Sequence, residues 1–128
     1  MAQVKIYGLY ESLKPVQKQF SDTLHSCLME SLKLPEDKKF QRFILMNNED
    51  FIYPIDRSEK YTIIEISMFV GRSDEVKKQL VNLIFERLRD IGFEPNDIEV
   101  TIFETPKNNW GIRGLPGDEL TLNYKVDV

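Results

Sequence analysis

The sequence has few of the residues that build disulfides or metal sites, since its 128 residues include one cysteine, Cys27, and one histidine, His25. One cysteine cannot close an intrachain disulfide, and the two residues cannot supply the four ligands of a structural zinc site. Glycine-rich phosphate loops, nucleophile elbows and metal motifs are also missing. We therefore expect a cytoplasmic protein without metal or cofactor, with Cys27 in the core and His25 at the surface or its boundary.

Long hydrophobic runs and an excess of positive charge are missing as well. No stretch approaches the roughly 20 apolar residues of a membrane span. The 17 Lys and Arg residues are outnumbered by 21 Asp and Glu residues, which gives a formal net charge of -4. Electrostatic binders of nucleic acid instead carry a clustered basic face. The sequence therefore predicts neither a membrane nor a nucleic acid as a partner.

What the chain does contain is an internal repeat. Shifted against itself by 60 positions, the sequence aligns residues 16–20 with residues 76–80, and Pro35 with Pro95. The same shift brings Val4 onto an isoleucine and continues through the leucines between these points. Such an ordered series indicates two copies of one supersecondary unit.

Copy one has the pattern strand, helix, strand. Val4 and Ile6 alternate with polar residues and predict a half-buried strand. Pro15 then predicts the start of a helix, and the Leu34-Pro35 pair predicts its end. A second strand is expected at residues 39–46.

Copy two repeats this pattern with clearer signals. Residues 61–70 are strongly β-prone, and Ser73 is a good N-cap for the helix that follows. Gly92 predicts the end of this helix, and residues 97–104 alternate as a strand. Each copy is therefore expected to be a β-α-β unit with a right-handed crossover.

Together these patterns predict an α+β fold with two β-α-β units in tandem. We expect a four-stranded mixed sheet with two helices on one face, plus short extra strands. Two helices leave the other sheet face uncovered, which is typical of an assembly surface, so we expect a homo-oligomer. The chain is read as a single domain, 1–128, made of two pseudo-repeats at about 1–46 and 61–114, a connector at 47–60, and a C-terminal edge strand or hairpin at 115–128.

Copy two carries a more specific resemblance. The Gly-Arg-Ser-Asp-Glu segment at residues 71–75, followed by the Trp-Gly-Ile turn at residues 110–112, resembles the 4-oxalocrotonate tautomerase family. The chain, doubled at a period of 60, is similar to fused two-unit members of that tautomerase superfamily, such as malonate semialdehyde decarboxylase. The resemblance implies the tautomerase fold, which is shared with macrophage migration inhibitory factor, and assembly of three chains into a trimer.

The resemblance also implies a chemistry. Members of the family use an amino-terminal proline as a general base that moves a proton between carbon atoms of a keto-enol substrate, while arginines hold its carboxylate. By the repeat, the proline position falls near Ala2 or Gln3, and no proline precedes Pro15. We therefore expect that the standard proline-based mechanism does not operate, and the catalytic residues stay unassigned.

Four residues are candidates for binding a small carboxylate or keto acid. Arg72 matches the arginine of the Gly-Arg-Ser segment and Trp110 the aromatic residue of the turn, whereas the family's strand arginine falls on Glu99. Arg42, in the comparable strand of copy one, and Arg113 are the further candidates. Bidentate pairing suits arginine to a carboxylate. The alternatives are a solvated or interface-paired Arg72, a Trp110 that fills a subunit interface, and a structural Arg113.

Two hypotheses follow for function. The first is a divergent tautomerase-superfamily protein that binds a small keto or carboxylic acid and retains weak or altered catalysis. The second is a non-catalytic trimer that keeps the fold as a ligand-sensing or interaction module. The absent proline favours the second hypothesis, and the retained Arg72 and Trp110 favour a surviving pocket.

Overall fold

Four strands form the main sheet of the computed structural model, which describes residues 2–121 and 125–128. The sheet order is β2-β1-β3-β4. The outer pairs are parallel, and the two central strands, β1 and β3, are antiparallel. The predicted mixed four-stranded sheet is therefore confirmed. In chain order the strands are β1 (Ala2–Leu9), β2 (Gln41–Met46), β3 (Thr62–Phe69) and β4 (Ile98–Thr105).

Two long helices connect the parallel strands and cover one face of the sheet. They are α2 (Gln17–Leu32) and α3 (Asp74–Asp90), and a single turn, α1 (Tyr10–Leu13), precedes the first of them. Pro15 lies in a 3-10 turn just before α2 rather than inside the helix. The Ser73 hydroxyl caps α3 by accepting the Val76 N–H at 3.2 Å. Helix positions are therefore close to those that the sequence predicts.

The repeat is visible in the pairing of the two central strands. β1 and β3 begin 60 residues apart and share one pattern of buried and half-buried positions. Lys5 pairs with Glu65 in the antiparallel register, and Glu65 is also the residue that the repeat makes equivalent to Lys5. A pseudo-two-fold axis therefore passes between these two residues, whose Nζ and Oε1 atoms lie 3.7 Å apart.

The main core lies between the sheet and α2 and α3. Phe20 of α2 is fully buried at its centre, and its ring packs edge-on against Phe43 and Phe93, with centroids 6.1 Å and 5.1 Å apart. Copy two contributes Leu80, the counterpart of Phe20, which is also fully buried. The two helices thus close one shared core instead of two separate ones.

The connector packs on the other face of the sheet. A 3-10 turn, Asn48–Asp50, leads into Phe51, which clusters with Leu9 and Tyr61. In copy two, the 3-10 turn Lys107–Asn109 leads into Trp110, which packs on Phe69 in the same way. Leu9 and Phe69 are repeat equivalents, so the structural correspondence continues into a segment that the sequence analysis placed outside the repeat. The proposed division of the chain stays a prediction.

The end of the chain, predicted as an edge strand or hairpin at 115–128, is described only in part. A short hairpin of β5 (Gly111–Ile112) and β6 (Leu115–Pro116) precedes a 3-10 turn, Gly117–Glu119. Leu122 and Tyr124, which carried part of the predicted alternation, lie outside the described residues. Val126, from the same alternation, is in no strand and packs instead on Phe69. Among the described residues of this part, Val126 is buried and the oxygen of Val128 accepts the Ser73 N–H at 2.8 Å.

The sheet face opposite the helices is only partly covered. The two aromatic clusters lie at its ends, while Ile44 and Phe103 on its outer strands are exposed. Across residues 2–121 and 125–128, no helix has the length and hydropathy needed to cross a membrane.

Candidate functional site

The candidate site lies where β3 ends and α3 begins. Gly71 has φ +136°, a conformation that L side chains rarely adopt, and it turns the chain so that Arg72 points inward. The Arg72 side chain is buried, with 5% of its residue surface exposed. Its Nη1 atom donates a long hydrogen bond of 3.5 Å to the carbonyl oxygen of Phe69.

The remaining nitrogens of this guanidinium are unusual. The Nε and Nη2 atoms of Arg72 are buried and have no hydrogen-bond partner among residues 2–121 and 125–128. Burial lowers the pKa of Arg72, and the carboxylates of Glu104 and Asp127 oppose this shift. An arginine keeps its charge even so. A buried cation with two unpartnered donors is unfavourable by itself, which keeps Arg72 a candidate for binding an anion.

The start of α3 adds a second attraction for negative charge. The first N–H groups of a helix lack intrahelical acceptors and carry partial positive charge. Here the Ser73 N–H donates to the oxygen of Val128 at 2.8 Å. Arg72 is therefore adjacent to the positive end of a helix dipole, in a first turn that also carries Asp74 and Glu75.

Trp110 lies against the side chain of Phe69, the residue whose carbonyl oxygen accepts from Arg72. Its ring packs edge-on against Phe69 with centroids 5.0 Å apart and planes at 63°. Ile112 and Val126 complete this cluster. Because Arg72 bonds the Phe69 carbonyl and Trp110 contacts the Phe69 ring, the structure brings these two candidates to one place.

The other two candidates lie elsewhere. Arg42 is on β2, at the far side of β1 from β3, where its Nη2 donates to Gln3 Oε1 at 3.4 Å. The strand registers make Phe40, and not Arg42, the counterpart of Glu99. Arg113 is exposed at the tip of the β5-β6 hairpin, with φ 51°. Within one chain, neither guanidinium is grouped with Arg72.

Ala2 lies at the same end of the sheet as Arg72. It is buried and pairs with Met68, the residue before Phe69. Its repeat counterpart is Thr62, whose hydroxyl donates to the Lys60 carbonyl at 2.8 Å. The resemblance places the proline near Ala2 or Gln3, and neither of these strand residues is a proline.

Some residues of the site were not found from the sequence. Glu104, at the end of β4, accepts a hydrogen bond from Lys77 Nζ at 2.8 Å and interacts electrostatically with Arg72. Its place at the end of a strand parallel to β3 is a signal that could have identified it. No sequence pattern identified Asp127 or Val126 as part of the site, because both contact it from more than fifty residues away along the chain.

The single histidine and cysteine lie in α2, apart from these residues. His25 is buried rather than at the surface or its boundary. Burial of this polar ring is tolerated because its Nε2 atom lies 2.9 Å from the Glu36 carbonyl oxygen, which is its hydrogen-bond partner. Cys27 is buried as predicted, and burial raises the pKa of its thiol. The described residues contain no group of three or more His, Cys, Asp or Glu side chains placed to hold a metal ion.

The known sequences that this chain resembles are tautomerases. A family model described as "Tautomerase enzyme" matches residues 38–113, more than half of the chain. The 2-hydroxymuconate tautomerase of Comamonas testosteroni is 37% identical over 57 residues, which cover 44% of this chain and 90% of that protein. The probable tautomerase YusQ of Bacillus subtilis is 23% identical over 99 residues, covering 73% and 78% of the two chains.

Solved structures share the whole fold. Native fused 4-OT superposes with a TM-score of 0.80 at 18% identity, covering 92% of this chain and 98% of that one. Malonate semialdehyde decarboxylase gives a TM-score of 0.79 at 20% identity, covering 92% and 99%. A fused 4-OT described as a symmetric trimer gives 0.76 at 15% identity, covering 91% and 96%. At these identities the likeness establishes the fold.

Proposed function

The chain belongs to the tautomerase family, and from this premise we propose that it is a divergent member that binds a small keto or carboxylic acid through Arg72. One observation carries the proposal: the guanidinium of Arg72 is buried, and its Nε and Nη2 atoms find no acceptor among the described residues. A carboxylate offers two oxygens to two such donors in one plane. Binding would therefore relieve an unfavourable arrangement in the unliganded protein.

The wall next to Arg72 suits the rest of such a ligand. Phe69, whose carbonyl oxygen accepts from Arg72, packs its ring against that of Trp110. In an apolar setting a fixed positive charge interacts more strongly with an anion than it does in water. If the ligand passes through an enolate, the same cation would stabilise the charge that develops on its oxygens.

The base in this reaction is not the proline of the family. Ala2 occupies that strand position, buried against Met68. We therefore propose weak or altered catalysis rather than the standard proline-based activity. The same observation favours the alternative function, a non-catalytic trimer that senses a ligand or a partner on the same fold.

A rate measurement separates these two functions. We expect the protein to convert phenylenolpyruvate and 2-hydroxymuconate to their keto forms faster than buffer alone, because Arg72 stabilises the developing enolate. The Arg72→Ala variant should react at the buffer rate, and Arg113→Ala, which changes an exposed arginine, should match the parent protein. Rates equal to buffer in all three proteins would contradict catalysis and leave the ligand-sensing module.

Assembly into a trimer is the second part of the proposal. The sheet face opposite the helices exposes Ile44 and Phe103, and apolar side chains on such a face are typical of an interface. A fused 4-OT of the same fold is a symmetric trimer. Light scattering at micromolar concentration should give three times the chain mass of 15.1 kDa. A single-chain mass would contradict the trimer.

A further inference from the structure

Residues 125–128, here called the C-terminal segment, lie on the Arg72 site. Val126 is buried, with 4% of its surface exposed, and it packs with Phe69, Trp110 and Ile112. The oxygen of Val128 accepts the Ser73 N–H at the start of α3. The segment therefore takes both the apolar wall and the helix end that a ligand would use.

The contact with the turn before Arg72 is close. A Cβ atom built on Gly71 would lie 2.7 Å from Asp127 Oδ1 and 3.0 Å from the Val126 carbonyl oxygen. The first of these atoms ends an exposed side chain that can move, so the φ of +136° at Gly71, more than the contact, favours glycine at this position. The segment is thus fitted against the backbone of the site.

The segment covers Arg72 without satisfying it. The Asp127 carboxylate interacts electrostatically with the guanidinium, yet Nε and Nη2 still have no hydrogen-bond partner in the described parts of the chain. Lys125 and Asp127 are exposed and Val128 is half-buried, so Val126 is the most deeply buried side chain of the segment. A segment held in this way occupies the site, but it leaves the Nε and Nη2 donors of Arg72 free to bind a ligand.

We propose that the C-terminal segment is an intrachain occupant of the Arg72 site, which a small acid must displace in order to bind. This inference rests on the proposed function, because it concerns the regulation of the same site. The segment and the ligand compete for the Phe69 and Trp110 surface and for the start of α3. The acid gains the two free guanidinium donors, which the segment does not use. Apparent affinity is then lower than intrinsic affinity by the fraction of molecules with the site open.

The probe for this competition is 3-methyl-2-oxobutanoate. Its isopropyl group matches the side chain that Val126 places against Phe69, and its carboxylate offers the acceptors that Arg72 lacks. Trp110 is the single tryptophan of the chain, so its emission reports on this cluster. Calorimetric titration gives the dissociation constant, and the tryptophan emission shows whether the cluster opens.

The main variant is Val126→Ser in the full chain, which weakens the anchor of the segment. We expect its dissociation constant for the probe to fall about tenfold if the site is open in roughly a tenth of the parent molecules. Deletion of residues 125–128 should have at least the same effect, and it covers the case in which Val126→Ser unfolds the protein. Lys125→Ala, an exposed change in the same segment, is the matched control and should leave affinity unchanged.

Arg72→Gln in the shortened chain separates this inference from the proposed function. If deletion of residues 125–128 lowers the dissociation constant and Arg72→Gln then abolishes binding, both the proposed function and the competing segment are supported. If shortening leaves the dissociation constant unchanged while Arg72→Gln removes binding, the site is real and the competing segment is contradicted. Weaker binding after shortening would show that the segment is part of the site, which also overturns the inference. If the probe binds with or without Arg72 equally well, the proposed function fails with it.

Discussion

Replacement of Arg72 by methionine should raise the free energy of unfolding and at the same time abolish acid binding. The guanidinium is buried with two unpartnered donors among the described residues, so its removal relieves an unfavourable desolvation. An apolar side chain of similar length in that place should stabilise the unliganded protein by about 1–3 kcal/mol. Loss of the bidentate partner should weaken binding of 3-methyl-2-oxobutanoate by about a hundredfold or more.

Opposite effects on stability and binding are the signature of a residue kept for function. Urea unfolding and calorimetric titration of the same preparations measure both quantities. Arg113→Met is the matched control, because Arg113 is exposed and its replacement should change stability by less than about 0.5 kcal/mol. If Arg72→Met lowers the free energy of unfolding by more than 1 kcal/mol, roughly the net value of one hydrogen bond, then Arg72 is a structural residue.

The second large effect concerns the doubled core. Phe20→Ala should lower the free energy of unfolding by about 3–5 kcal/mol, and Leu80→Ala by about 2–5 kcal/mol, because each leaves a cavity in a fully buried position. The two residues belong to different copies but to one core, so each change should shift the same cooperative transition. Chemical denaturation followed by circular dichroism and by Trp110 emission measures this.

A matched control lies next to Phe20. Gln19 is exposed on α2, and its replacement by alanine should cost less than about 0.5 kcal/mol. Coincident curves from the two probes in every variant would support one cooperative unit. If Phe20→Ala moved only the circular dichroism curve and left Trp110 emission at its original midpoint, the two copies would unfold separately, contrary to the shared core.

Much of the fold could be predicted because its signals are local and occur twice. Alternation around Val4 and Ile6, and around their equivalents 60 residues later, specifies strands whose inner faces are buried. Ser73 and Gly92 mark the ends of α3 by capping chemistry that acts within a few residues. Because the two copies show the same strand-helix-strand pattern, the sequence predicted the four-stranded sheet and the face that the helices cover.

The candidate site was predictable only in part. The Gly-Arg-Ser segment identified Arg72, and the turn motif identified Trp110, but no local pattern shows that the Arg72 guanidinium is buried without acceptors. Burial depends on contacts between distant parts of the chain, and the C-terminal segment meets residue 71 from more than fifty residues away. The alternation that includes Val126 predicted a strand. A single buried side chain in an irregular segment can belong to the same alternating pattern, so the sequence does not distinguish the two.

The structural likeness between the connector and the segment before Trp110 was not seen in the sequence, for a related reason. Phe51 and Trp110 are structural counterparts, yet the residues that lead into them differ, with Asn-Glu-Asp in one copy and Lys-Asn-Asn in the other. The resemblance lies in the 3-10 turn and in packing against Leu9 and Phe69, which are distant in sequence. Contacts of this kind conserve geometry without conserving residue types, so a comparison of the sequence with itself does not detect them.

The most direct test of the central claim is a crystal structure of the protein with 3-methyl-2-oxobutanoate. We predict that the carboxylate of the acid accepts hydrogen bonds from Nε and Nη2 of Arg72, with the isopropyl group against Phe69 and Trp110. Residues 125–128 should have left the site. An acid bound elsewhere, with residues 125–128 still against Gly71 and Phe69, would contradict the assignment of Arg72 as the residue that binds the ligand.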